Sequence, residues 1–162
     1  MSSLSLGLVV LLTLPGCRDT NRKSGLPRAQ VRHLNPDELC KSSHKTQAVV
    51  VFGPNRTIHV SAQHSVDPDN QVIGAGDLRK QTEAALKNLE YALASGGAGP
   101  QHLVKCTIYL VQGQPSEPCL EVLRNTWDES VKPPALTVVY VPALSRPEFL
   151  VAIDATAVVP LD

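Results

Sequence analysis

Residues 133–154 read PPALTVVYVPALSRPEFLVAID. The stretch holds two runs rich in β-branched and apolar residues, separated by a loop that carries Pro142 and Pro147. Such runs bounded by proline read as β-strands, and the second continues to Val159. These two strands close the chain, so the preceding elements must supply what they pair with and what covers them.

Working back, His102–Val111 (HLVKCTIYLV) is a further strand. Val104, Cys106, Ile108 and Leu110 point to one side of it, and Lys105, Thr107 and Tyr109 to the other. A helix is expected from about Glu117 to Glu129, with Leu120, Leu123, Trp127 and Val131 on its apolar side. Upstream, Asp77 is placed to cap a longer helix. Its apolar stripe is Leu78, Thr82, Ala85, Leu86, Leu89, Ala92 and Leu93, and Gly96-Gly97 ends it. The glycines of residues 96–100 follow a helix instead of preceding one, so they read as a plain connection and not a phosphate loop. Gln47–Phe52 and Thr57–Gln63 are β-branched runs around Gly53-Pro54-Asn55, which together read as a β-hairpin.

The order is therefore β-β-α-β-α-β-β, an α+β domain with both helices on one face of a single sheet. The other face, represented by Thr107, Tyr109, Val139, Tyr140 and Val141, reads as too apolar to stay wet, and association through it is expected.

The totals bound the function. A chain of 162 residues is one ordinary domain, 31–162, preceded by an arm over 1–30. Fifteen basic residues balance fifteen acidic ones, and only six residues are aromatic. No electrostatic footprint or stacking platform for nucleic acid results. Cys17, Cys40, Cys106 and Cys119 lack metal-ligand spacing and the five histidines form no HxxxH pair, so no metal is expected. Cys106, in its apolar strand, reads as a core residue and not a nucleophile.

In the arm, Leu4–Leu14 (LSLGLVVLLTL) has the length of a signal-peptide core and is too short for a membrane span. Leu14-Pro15-Gly16-Cys17 resembles a bacterial lipobox, although no Lys or Arg precedes the run. Two readings stay open: export, with membrane anchoring only if Cys17 is lipidated, or an internal start near Val31 and a cytoplasmic protein. Residues 18–30 are polar and basic and read as a tether.

VSAQHSVDPDN, GDLRKQTEAALKNLEYALASGGA, HLVKCTIYL and PPALTVVYVPAL…FLVAIDATAV, in that order, resemble the Rid family (YjgF-like, reactive intermediate or imine deaminases) over Gln47–Val159. The resemblance implies a chorismate-mutase-like, ferredoxin-like α+β fold. It also implies a homotrimer with a central barrel, small-molecule clefts between subunits and no cofactor. Archetypal members hydrolyse enamine and imine intermediates to 2-keto acids and ammonia. Residue by residue, Leu136 stands where the family's carboxylate-binding arginine falls, in Pro134-Ala135-Leu136-Thr137. Ala152 stands at the pocket glutamate, two residues before Asp154, and Lys45 or Thr46 occupies the neighbourhood of the pocket tyrosine. Ser61, Ala62 and Gln63 match a Ser-Gly-Gln segment, and Arg124 matches a helix asparagine.

Two positions that should be charged are apolar, so the expected function departs from the standard one. The cleft is expected to bind or process a small, less acidic or apolar metabolite, either as a binding module or as a divergent hydrolase acting on imine-like C–N bonds. The alternative is the enamine/imine deaminase itself. No catalytic residue is assigned; Lys45 and Arg124 read first as solvated surface charge and second as replacement cations.

Overall fold

The computed structural model describes residues 28–126 and 131–161. The apolar arm with Cys17, and Trp127 at the end of the expected second helix, lie outside the described residues. The strands are β1 (Gln30–Leu34), β2 (Ala48–Phe52), β3 (Asn55–Gln63), β4 (Leu103–Val111), β5 (Ala135–Val141) and β6 (Val151–Pro160). The helices are α1 (Leu78–Ser95) and α2 (Glu117–Thr126). One strand, β1, precedes the expected order.

The main sheet runs β3-β6-β4-β5. β6 is antiparallel to both β3 and β4, while β4 and β5 are parallel. The chain therefore steps from β3 to β4 to β5 in one direction across the sheet, each time through a helix. Crossovers between parallel strands are right-handed, so two successive steps in the same direction put α1 and α2 on the same face.

The expected hairpin between residues 47–52 and 57–63 is not what forms. β2 pairs with β1 (Gln30 with Phe52, Leu34 with Ala48), whereas β3 pairs with β6 (Thr57 with Val158, Val60 with Ala155). Gly53, at φ 74°, and Pro54 separate two strands that belong to different sheets. Local β-propensity marks strands but does not select partners, and here the long-range ladder won. The β1–β2 arm spans the width of the main sheet at one end. Phe52 leads through the turn into edge strand β3, and Thr46 bridges Ala135 at the opposite edge.

The core lies between the sheet and the helices. Leu78, Thr82, Ala85, Leu86, Leu89 and Leu93 of α1 are buried, as the stripe implies. They meet Cys106, Ile108 and Leu110 of β4 and Val151, Ile153, Ala155 and Ala157 of β6. A register shift between Leu103 and Lys105 makes Leu103 the buried residue at the start of β4 and leaves Val104 half-buried. On α2 the buried residues are Cys119, Val122 and Leu123, with Leu120 at the margin. Asp77 caps α1 by accepting from the Lys80 N–H. The helix closes in a Schellman arrangement: Ala98 N–H donates to the Leu93 carbonyl, and Gly97 N–H to that of Ala94. Gly97 sits at φ 71°, with the Arg56 guanidinium lying where a Cβ would be.

One polar residue in the stripe organises the closing strand. Gln81 is fully buried; its Nε2 donates to the Glu148 carbonyl at 2.7 Å, and its Oε1 accepts from Leu150 N–H at 2.8 Å. A single amide thereby satisfies two backbone groups at the entry to β6 and fixes where that strand starts.

Gln81→Leu keeps the side-chain volume and strands both backbone groups. Urea unfolding is expected to show a loss of about 2–4 kcal/mol, since each unsatisfied buried group costs roughly 1–3 kcal/mol. A loss below ~1 kcal/mol would show that the loop solvates itself. The Lys80 N–H holds the Asp77 carboxyl below its usual pKa. That stabilisation is present above the ordinary carboxylate range and is lost as pH falls through the lowered value. Asp77→Ala should therefore lower the melting temperature at pH 7 and change it little in strong acid, read by circular dichroism.

Candidate functional site

The residues singled out from the sequence, Ala152 apart, fall into two groups on opposite edges of the sheet. Ser61, Ala62 and Gln63 end edge strand β3. The β3–β6 ladder shifts register between Val60 and Gln63, so Ser61 and Ala62 together oppose Asp154. This is a β-bulge, which re-aims side chains and ends regular pairing. Ser61 and Ala62 are exposed, Gln63 is half-buried, and Gln63 Nε2 donates to the Ser61 carbonyl. Ser61 and Gln63 also line a cavity of about 290 Å³ at the free edge of β3, with Ile58, His59, Val60 and the C-terminal end of α1. α1 pins the strand exit, because Asn88 Nδ2 donates to the carbonyls of His64 and Val66. Beyond the bulge, the His64 ring stacks on Phe149 at 4.5 Å, the Arg146 guanidinium lies over the same ring, and Arg146 also donates to the Asn70 carbonyl. Burial lowers the His64 pKa.

At the other edge, Leu136 is in β5 and pairs with Cys106. Paired residues share a face of the sheet, so Leu136 is on the helix side, half-buried against the core. Lys45 is half-buried beside Thr46, whose hydroxyl donates to the Pro133 carbonyl and whose N–H donates to that of Pro134. His33 Nδ1 lies 3.2 Å from both the Thr46 hydroxyl and the Pro133 carbonyl, and joins β1 to the same junction. The Thr46–Ala135 bridge thus carries the backbone of Lys45 to the start of β5, where Leu136 follows Ala135. Arg124 is exposed in the last turn of α2, the helix that leads to β5.

Ala152 belongs to neither edge. It pairs with Tyr109, on the open face, and is 1% exposed. Leu136 and Ala152 therefore sit on opposite faces of one protomer's sheet, and edges β3 and β5 are three strand spacings apart, about 14 Å.

The open face is more polar than its sequence suggested. Tyr140 pairs with Leu110 and so belongs to the helix side, near the sheet margin, where it is 48% exposed. The open face carries Lys105, Thr107, Tyr109 and Val111 on β4, Thr137, Val139 and Val141 on β5, Ala152, Asp154 and Thr156 on β6, and His59 on β3. Lys105 donates to Thr137, and His59 meets the Thr156 hydroxyl. The Tyr109 hydroxyl donates to Asp154 Oδ2 at 2.8 Å. That bond, and the carboxylate's charge, raise the Tyr109 pKa. The Tyr109–Asp154 pair was missed because strand alternation puts both residues on one face, but only the β4–β6 register makes them neighbours.

Comparisons with known proteins agree with this architecture. The family model described as Endoribonuclease L-PSP matches residues 42–159. The chain belongs to this family, the Rid/YjgF family. Protein DfrA of Myxococcus xanthus is 32% identical over 127 residues, covering 73% of this chain and 95% of that protein. Among solved structures, YyfB of Yersinia pestis, a Rid-family protein of unknown function, is 30% identical. The match covers 80% of this chain and 98% of YyfB, with a TM-score of 0.72. Rv2704 of Mycobacterium tuberculosis, a member of the YjgF/YER057c/UK114 family, is 28% identical over 70% of this chain and 86% of its own, with a TM-score of 0.54.

The thiols bear out the core reading of Cys106. It is fully buried, and burial, helped by the Asp154 charge, pushes its pKa up to about 12. Cys119 is buried against the Thr82 hydroxyl, while Cys40 is exposed. Iodoacetamide at pH 8 should label Cys40 rapidly and leave Cys106 and Cys119 unmodified until the protein is unfolded, read by site-resolved mass spectrometry.

Proposed function

We propose that this chain is a homotrimeric Rid-family protein with an altered intersubunit cleft, one that binds or processes a small metabolite less acidic than a 2-imino acid. The observation that carries this reading is the apolar character of two positions, Leu136 packed against the core and Ala152 buried between strands. An arginine at a carboxylate anchor makes charge-assisted hydrogen bonds worth roughly 1.5–3 kcal/mol each. Leucine forgoes them, a loss on the order of 100-fold or more in carboxylate affinity.

The split placement of the site supports assembly. The residues at β3 and those at β5 cannot meet within one chain, but they meet if the β3 edge of one copy packs beside the β5 edge of the next. Such head-to-tail contact closes into a ring, and each junction then holds one complete cleft. The zero formal charge offers no long-range attraction for a polyanion, so the ribonuclease chemistry in the family's description finds no support in charge.

Two measurements test this. Sedimentation velocity should give a trimer; a monomer would remove the intersubunit cleft. Ammonia release from 2-aminoacrylate generated in situ should be no faster with the natural protein than in buffer, and should accelerate with a Leu136→Arg, Ala152→Glu double variant. Clear acceleration by the natural protein would establish the deaminase instead.

A further inference from the structure

The centre of the open face offers an arrangement that fits a cation. Asp154 is a half-buried carboxylate in the middle strand of the sheet, and among the described residues no Lys, Arg or His nitrogen reaches it within 4.0 Å. The two basic groups on this face are turned elsewhere, Lys105 to Thr137 and His59 to Thr156. Tyr109 fixes one carboxylate oxygen, Oδ2, and among the described residues no side chain donates to the other. Because the phenol proton is committed to Asp154, the phenol oxygen offers lone pairs only, one of them facing the Thr107 hydroxyl. Thr107 lies directly across from Asp154 and adds a hydroxyl oxygen on the same face.

Beside this cluster Tyr109 is flanked by Val139 on β5, which is exposed and apolar, and by Ala152 on β6, which is covered. The small methyl of Ala152 also leaves space for the Tyr109 ring to lean across toward Asp154, two residues further along the strand. Three acceptors beside an apolar platform match the three N–H donors and hydrocarbon body of a primary ammonium ion, and the tyrosine ring adds a cation–π contact.

We propose that Asp154, oriented by Tyr109 and assisted by Thr107, forms a binding site for a small protonated primary amine whose apolar body lies over Tyr109 and Val139. The inference deepens the proposed function, since it rests on further copies walling in the open face, and it names an amine as the less acidic ligand. Asp154 binds; Tyr109 is a positioning residue that acts through Asp154 and offers its ring.

Benzylamine and benzoate share a body and differ in charge, so calorimetric titration of each at pH 7.5 provides the test. Benzylamine is expected to bind and benzoate not. Asp154→Asn should weaken benzylamine roughly 10-fold or more, as expected for loss of one charge-assisted contact. Tyr109→Phe keeps the ring and frees the carboxylate, and should weaken it by a smaller factor. Circular dichroism and sedimentation of each variant should match the natural protein. Benzoate binding as well as benzylamine, no benzylamine binding, or full affinity in a folded Asp154→Asn variant would each overturn the proposal. Failure of the assembly reading is separate and shows as a monomer in sedimentation, whatever the titration gives.

Discussion

The last strand of the chain lies in the middle of its sheet, and the rest of the structure depends on that insertion. β6 is antiparallel to β3 on one side and to β4 on the other. Its odd-numbered residues from Val151 to Ala157 fill the core beneath the helices, while Ala152, Asp154 and Thr156 line the open face. A slip of one residue would exchange these sets and put a carboxylate into the core. The buried amide of Gln81, gripping the backbone on both sides of Phe149, prevents that slip from a distance of about 70 positions along the chain. Helix packing, core composition and the character of the open face are thus tied to one side chain on α1.

The same insertion explains why the candidate site is divided. With β6 and β4 in the centre, β3 and β5 must be edges, and the residues matched to one pocket are carried to opposite margins. On the proposed reading this division drives assembly, since each protomer offers half a cleft at either edge. Edge strands with free backbone groups are a liability in a monomer and a resource in a ring. The β-bulge at Ser61 and Ala62 ends regular pairing where a neighbouring copy would approach, and the cavity beneath it lies at the same free edge.

Much of the fold was legible in the sequence because its signals are local. The α1 stripe, its Asp77 cap and its glycine end, and the alternation of Cys106, Ile108 and Leu110 need only periodicity. Partner choice and register are not local, and there the sequence misleads. Gly53-Pro54 looked like a hairpin turn, yet β2 and β3 pair with distant strands. Tyr140 reads as a companion of Val139 on the open face, yet neighbours in a strand alternate and its pairing with Leu110 puts it on the helix side. Gln81 stood in plain view as the one amide among the buried residues of α1, but its partners at 148 and 150 are visible only once the chain has folded back. The site was legible as a list of positions, not as a geometry, because the residues that compose it are distributed by topology.

The character of the open face bears on how copies of the chain can meet. An apolar face would drive association through area alone, and Tyr109, Val139 and Val141 do lie there, as the sequence implies. The face also carries polar side chains that already bond to one another: Lys105 with Thr137, His59 with Thr156, Tyr109 with Asp154. Burying a polar group costs little when its partner is buried with it, and a great deal when the partner is left behind. A face paired in this way can be enclosed between protomers without a large desolvation penalty, while Val139 and Val141 supply apolar contact. The exception is the Asp154 oxygen to which none of the described residues donates. Enclosing a carboxylate with one unsatisfied oxygen is unfavourable unless a donor arrives with the closure, and this is the physical ground for expecting a cation there.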